Sequence, residues 1–210
     1  MSDKVEKRHT IEAAIRAGDD SKRVVQGYAA VFNKVAKITE RLHEKIAPGA
    51  FKNSIGGDIR ALWSHNTDLV IGRTTNDSLK LSEDDTGLRF ELSLPDTTQG
   101  RDAYTLIKDG YVSGVSFGFR VKKDAWDRGQ DGQPHLRTLL DVDLLEISPT
   151  PFPAYGETMV SARSSEELLK EKESEWLWAE KEGKKPSLDS LRSELQRLQM
   201  KFALDSILIQ

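Results

Sequence analysis

The 210-residue chain contains no cysteine. Disulfides, thiolate-bound zinc and a cysteine nucleophile are therefore excluded. Histidine is scarce: His9, His43, His65 and His135 are the whole supply of imidazole bases or ligands. Neither sign of charge dominates. The 31 Lys and Arg stand against 34 Asp and Glu, a formal net charge of −3, which argues against a nucleic-acid partner held by a basic face. No apolar run approaches the roughly 20 residues of a membrane-spanning helix, so no membrane partner is expected. The opening MSDKVEKRHT lacks the apolar stretch of a secretory signal, and the expected compartment is the cytoplasm. There is no HExxH, no Walker loop and no GxGxxG after a strand, so neither a metal nor a cofactor is expected. Internal repeats are absent as well.

What is present reads as one domain of about 150 residues plus an extension of about 50. Up to residue 163 the pattern is short strands broken by turn residues. Candidate strands are Arg23–Phe32, Ile59–His65, Tyr111–Lys122 and Leu136–Ile147. The clearest alternation sets Leu88, Phe90, Leu92 and Leu94 against Arg89, Glu91 and Ser93. Leu79 and Leu81 precede it across a turn-prone stretch, which predicts a hairpin. The loop Asp127–Pro134 joins the last two strands. Two short helices are expected: one capped by Asp96 or Thr97 and stopped at Gly110, the other from Pro48 to Gly56-Gly57. Many strands and few helices favour a mainly β fold, a closed barrel or strongly curved sheet.

Residues 164–210 are of another kind. Ser164–Glu182 predicts a charged helix capped by Ser164 or Ser165. After the break at Gly183–Pro186, Ser187 caps a second helix, in which Leu188, Leu191, Leu195, Leu198 and Phe202 follow 3-4-3-4 spacing. That seam predicts an amphipathic helix laid on the barrel or a partner, with self-association as the other reading.

Three polar residues stand where the pattern expects apolar ones. His65 ends the strand Ala61–His65. Ser116 lies inside Gly114-Val-Ser-Phe-Gly118. Glu146 lies inside Leu144-Leu-Glu-Ile147, where an unpaired charge would be costly, so it needs a partner. Each has a plainer reading: a surface histidine, a small strand residue, and a glutamate paired with Arg120 or Arg137. Together they suggest a nucleophile, a base and an orienting carboxylate. Glu44, Asp141 and Asp143 are the other candidates for the carboxylate, and Ser113 is the competing serine. Gly114–Gly118 matches G-x-S-x-G in letters, but the following Phe119-Arg-Val-Lys-Lys continues as strand instead of opening a helix, which discounts an α/β-hydrolase.

An ordered series of segments carries a family resemblance. It runs Gly27-Tyr-Ala-Ala-Val-Phe32, Ile46-Ala-Pro-Gly-Ala-Phe51, Leu62-Trp-Ser-His65, Ile71-Gly-Arg73, Gly87-Leu-Arg-Phe90 and Leu94-Pro-Asp-Thr97. It continues through Gly114-Val-Ser-Phe-Gly-Phe119, Leu145-Glu-Ile-Ser148 and Pro153-Ala-Tyr155. Over roughly residues 8–163 this resembles the tailed-phage prohead (capsid maturation) proteases of HK-ninety-seven type, similar in fold to the herpesvirus assemblin proteases. The resemblance implies a closed β-barrel with a few flanking helices (residues 1–163), followed by a helical extension (164–210) for recruitment or self-removal, with Lys184-Lys185-Pro186 as a place for cutting.

It further implies a serine endopeptidase packaged inside the prohead in the host cytoplasm. Its partners would be the major capsid protein and that protein's scaffold region, and it would cut these and itself. By motif position the nucleophile is Ser116, the base His65 and the third member Glu146, where herpesvirus relatives have a second histidine. Arg120 and Arg163 are candidates to support the oxyanion. A homodimer is allowed by the same resemblance. The alternative is a non-catalytic capsid-core or scaffold module with the same barrel.

Overall fold

The computed structural model describes residues 4–10, 15–18, 22–130, 132–151 and 159–181. The strands are β1 (Glu6–Thr10), β2 (Arg16–Ala17), β3 (Val24–Val31), β4 (Ala36–Lys37), β5 (Leu42–Ile46), β6 (Arg60–Trp63) and β7 (Asn66–Arg73). They continue with β8 (Leu79–Glu83), β9 (Gly87–Ser93), β10 (Gly114–Asp127) and β11 (His135–Thr150), and the helices are α1 (Thr98–Lys108) and α2 (Met159–Lys181). The chain falls into two compact units, Met1–Glu166 and Glu167–Gln210.

The fold is mainly β, as expected, and two α-helices lie among the described residues. One sheet has seven strands, in the order β1-β10-β11-β5-β4, with β6 pairing both β11 and β7; the other has four, β2-β3-β9-β8. Among the described strands neither path closes on itself, so the closed barrel of the sequence reading does not appear as a continuous ladder. The long strand β11 explains the branching. Its first part pairs parallel with β5 through His135–Leu139, and its last part pairs parallel with β6 at Glu146 and Ile147.

The β8–β9 hairpin and the β3 strand stand where the alternation put them. Helix α1 is capped by Thr97, whose side chain accepts the Gly100 N–H, and the chain leaves it at Gly110 with φ +81°. Its buried face, Ala103, Tyr104 and Ile107, joins a core to which both sheets contribute. Phe51, Phe90, Phe117 and Phe119 are almost wholly buried there, each contributing about 1.5–3 kcal/mol.

Two expectations are corrected. Residues 48–56 form successive turns and no helix. Gly49 sits at φ +83°, outside helical space, and the N–H groups of Ala50, Lys52, Ser54 and Gly57 donate to carbonyls three residues back, as in turns, not four. Helix α2 begins at Met159, so Ser164 and Ser165 are interior residues and cap nothing; Met, Ala and Arg before them are good helix formers. No helix among the described residues is long and apolar enough to cross a membrane. The second helix expected from Ser187 through Phe202, and the Lys184-Lys185-Pro186 break, lie outside the described residues.

Candidate active site

The site is built on the last turns of chain before and within β10 and β11. The first residues of β10 and the last of β11 are buried on both faces. One face carries Phe117 and Ile147 into the core. The other carries Ser116, Gly118, Glu146 and Ser148, because Ser116 stands opposite Ser148 and Gly118 opposite Glu146 in the antiparallel register. Buried polar groups must satisfy one another, and on this face they do.

A bulge sets the phase. Gly118 pairs with Glu146 but Phe119 pairs with Leu144, so Leu145 is an extra residue on β11. Leu144 and Ile147 are therefore both free to enter the core, while Glu146 turns to the polar face. Gly118 makes room for it: a Cβ there would stand 2.5 Å from Glu146 Oε1.

His65 arrives from the β6–β7 hairpin. Trp63 pairs with Asn66, leaving Ser64 and His65 as a two-residue turn with φ of +50° and +61°. Such turns prefer Asn-Gly, and a non-glycine residue in this left-handed region costs roughly 1–2 kcal/mol. Strand β11 holds the turn in place. The Ser64 N–H donates to the Pro149 carbonyl, and the His65 N–H donates to Ser148 Oγ, both at 3.1 Å. His65 thus lies just past its strand, in a turn, not within it.

The result is a short contact between two of the three expected residues. His65 Nδ1 lies 2.7 Å from Glu146 Oε1, and Ser148 Oγ donates to Glu146 Oε2 at 2.7 Å. An ionised carboxylate only accepts, so in the state where this contact is a hydrogen bond to ionised Glu146 the proton sits on Nδ1 and Nε2 is the nitrogen left to take another. Ser116 is fully buried on the same face, and its hydroxyl donates to the Arg8 carbonyl of β1 at 2.8 Å. The structure therefore joins His65 to Glu146 and holds Ser116 across the strand pair from Ser148, with its proton directed at Arg8.

The competing residues are occupied elsewhere. Ser113 is exposed ahead of β10. Asp141 accepts from Asn53 at 3.3 Å, and Asp143 lies 4.0 Å from Arg120 and 3.6 Å from Lys122. His43 lies on β5, His135 accepts the Gly129 N–H, and the backbone of His9 is in register with Ser116. The side chain of Arg163 lies outside the described residues. Among the described residues no group of three or more His, Asp or Glu could hold a metal ion.

Glu44 and Arg137 belong to an ion cluster that the sequence reading did not anticipate. Arg8 reaches Glu44 at 2.6 Å and Glu6 at 2.6 Å, while Arg137 reaches Glu6 at 2.9 Å, Glu44 at 3.1 Å and Asp124 at 2.7 Å. Burial disfavours both guanidinium charges, yet the surrounding carboxylates hold Arg8 and Arg137 above the ordinary arginine range. Burial likewise pushes the Glu6 carboxyl up, but Arg8 and Arg137 together hold it below its ordinary value. The cluster ties β1 to the strands behind it, and β1 supplies the carbonyl that Ser116 faces. Ser148 and Gly118 carry no local signal of a role in the sequence, although their i, i+2 spacing from Glu146 and Ser116 places each pair on one strand face.

Compared with known families, the chain matches the caudovirus prohead serine proteases over residues 9–171. No curated protein and no solved structure gives a match.

Proposed function

Since the chain belongs to the caudovirus prohead serine protease family, we propose that it is the endopeptidase that cuts the scaffold, or the scaffold-like arm of the major capsid protein, and also itself. We assign Ser116 as nucleophile, His65 as general base and Glu146 as the carboxylate that orients it. The observation that carries this reading is the 2.7 Å contact between His65 Nδ1 and Glu146 Oε1, on the strand face that also bears Ser116.

The chemistry follows from those positions. The Ser116 hydroxyl turns about its side-chain torsion from the Arg8 carbonyl to His65, which takes its proton at Nε2. Oγ attacks the peptide carbonyl carbon, and Glu146 stabilises the imidazolium that forms. Main-chain N–H groups stabilise the oxyanion, with Arg120 as a candidate helper. His65 then gives the proton to the leaving amine, and water releases the acyl group by the same route in reverse.

The two sheets, which share one core, are the halves of the assemblin-like barrel. Residues 1–163 form the protease domain, and 164–210 recruit it to the capsid proteins or are removed by self-cleavage. The protein works inside the prohead in the host cell, and a homodimer is compatible with it.

Co-expression with the major capsid protein of the same phage tests the reading, with gel and intact mass as readouts. Shortening of the capsid protein or of this chain is expected with the native sequence and not with Ser116→Ala or His65→Ala. Cleavage that survives Ser116→Ala sinks the assignment. Co-assembly with no cutting by the native chain favours the scaffold-module alternative.

A further inference from the structure

Ser148 takes no part in the mechanism above, yet its hydroxyl joins the two groups that the mechanism needs aligned. It is fully buried, donates to Glu146 Oε2 at 2.7 Å and accepts the main-chain N–H of His65 at 3.1 Å. We infer that Ser148 is a positioning residue for the reaction: it fixes the far oxygen of Glu146 and the backbone of His65 together, and so holds His65 in its Nδ1-protonated tautomer. The inference rests on the triad reading.

A glutamate carboxylate turns easily about its last torsion, which is broad and nearly two-fold. The proton donated by Ser148 to Oε2 stops that rotation and leaves Oε1 for Nδ1. At the other end, His65 sits in the left-handed region, which a non-glycine residue leaves readily unless its surroundings hold it. The turn has two anchors on consecutive residues of β11. The Pro149 anchor is main chain and common to any side chain at that position, whereas the Ser148 anchor is a hydroxyl. Without that hydroxyl, a half-buried N–H and a buried carboxylate oxygen each lose a partner. Both losses fall on the acid–base pair and neither falls on the core.

The test uses the full chain and a fluorophosphonate, which an activated serine attacks to form an Oγ–P bond while fluoride leaves and the serine proton passes to the base. Peptide mapping reports the rate of labelling at Ser116 in the native chain and in Ser148→Ala, Ser148→Cys and Ser148→Thr. Nitrogen NMR of the imidazoles reports the His65 tautomer in each. Cysteine keeps the branching of serine with a somewhat larger tip atom, but is a weak donor. The expected result is labelling slowed about tenfold to a hundredfold in the Ala and Cys variants, a mixed tautomer in both, and recovery of most of the rate with Thr.

Labelling at the native rate with an unchanged tautomer in Ala and Cys overturns the inference and leaves the triad standing. Failure of the native chain to label at Ser116 counts against the triad, and the tautomer comparison then decides the role of Ser148 by itself. Should Ala and Cys both fail to fold, the native tautomer decides: a predominantly Nε2-protonated His65 overturns the inference.

Discussion

Gly118 stands directly opposite Glu146 across the β10–β11 pair, with no room for a Cβ between them. The Ser-Phe-Gly order of β10 thereby acquires a physical reading. Ser116 faces the polar side, Phe117 fills the core, and Gly118 leaves the space into which the Glu146 carboxylate folds. A glycine inside a strand commonly marks such a close approach.

Gly118→Ala is therefore expected to disable the site before it disables the fold. The added methyl would meet Glu146 Oε1 at 2.5 Å, and the carboxylate must swing away from His65. Overpacking of this kind costs about 1–3 kcal/mol, which a domain of this size survives. Labelling of Ser116 by a fluorophosphonate should fall at least tenfold, while the far-ultraviolet spectrum and a cooperative melt are retained. A native labelling rate in Gly118→Ala would show that Glu146 does not need that space.

The ion cluster predicts a large effect at positions that touch no substrate. Glu44 and Arg137 are 3% and 2% exposed, and removing one partner of a buried pair typically costs about 3–5 kcal/mol. Glu44→Ala and Arg137→Ala should lose about that much in urea unfolding, measured on a Ser116→Ala background so that self-cutting does not interfere. The Glu6 carboxyl, held below its ordinary 4.5 by the two arginines, adds a pH signature. A depressed carboxyl contributes stability above its unfolded value and loses it as the pH falls through the folded one. The advantage of the native chain over Glu6→Gln should thus be constant near neutrality and shrink below about pH 4.5. An advantage independent of pH would remove Glu6 from the cluster's electrostatics.

Glu83 gives the opposite sign. Half-burial raises its carboxyl, although it accepts the Phe51 N–H at 2.9 Å and so holds the turns at 48–56. A raised carboxyl favours the folded state only while it is protonated, and that contribution is lost as the pH rises through the folded value. Glu83→Gln keeps an acceptor for Phe51 without the buried charge. Its melting temperature should exceed that of the native chain at pH 7, and the difference should disappear near pH 4. A native chain that is the more stable at pH 7 would mean the charge is compensated by more than the Phe51 N–H and the nearby Lys52 ammonium, which both pull the carboxyl down but do not offset its burial.

Local signals carried the reading of the elements well. The alternation from Leu88 to Leu94 is a half-buried strand, and Thr97 and Gly110 bound a helix, because in each case residues within a few positions decide the conformation. Ser116 and Glu146 stood out for the same reason, as polar side chains in apolar runs. What stayed hidden depends on register. That Ser148 touches both Glu146 and the His65 backbone, or that Gly118 makes room for a carboxylate, follows from how β10, β11 and β6 are laid side by side. The bulge at Leu145 even disguised the face of Glu146, since Leu144, Leu145, Glu146 and Ile147 do not alternate. Glu6 and Arg8 on β1, Glu44 on β5, Asp124 on β10 and Arg137 on β11 come from four separate stretches of chain, and no spacing rule gathers them.

The turn that presents His65 supplies the last prediction, because it separates conformation from chemistry at a residue that does none. Ser64 has φ +50° and donates its N–H to Pro149; its side chain is exposed. Glycine adopts that conformation without penalty and keeps the N–H, so Ser64→Gly should leave labelling of Ser116 within about twofold and change stability by less than about 1 kcal/mol, strain relief offsetting the unfolded-state entropy of glycine. Proline is locked near −65° and has no N–H to give. Ser64→Pro must rebuild the turn and release one of its two anchors on β11, which moves His65 away from Glu146. Labelling should then be lost in a chain that still folds around the core of Phe51, Phe90, Phe117 and Phe119. Equal labelling of the Gly and Pro variants would mean that the left-handed turn is not what brings His65 to its carboxylate.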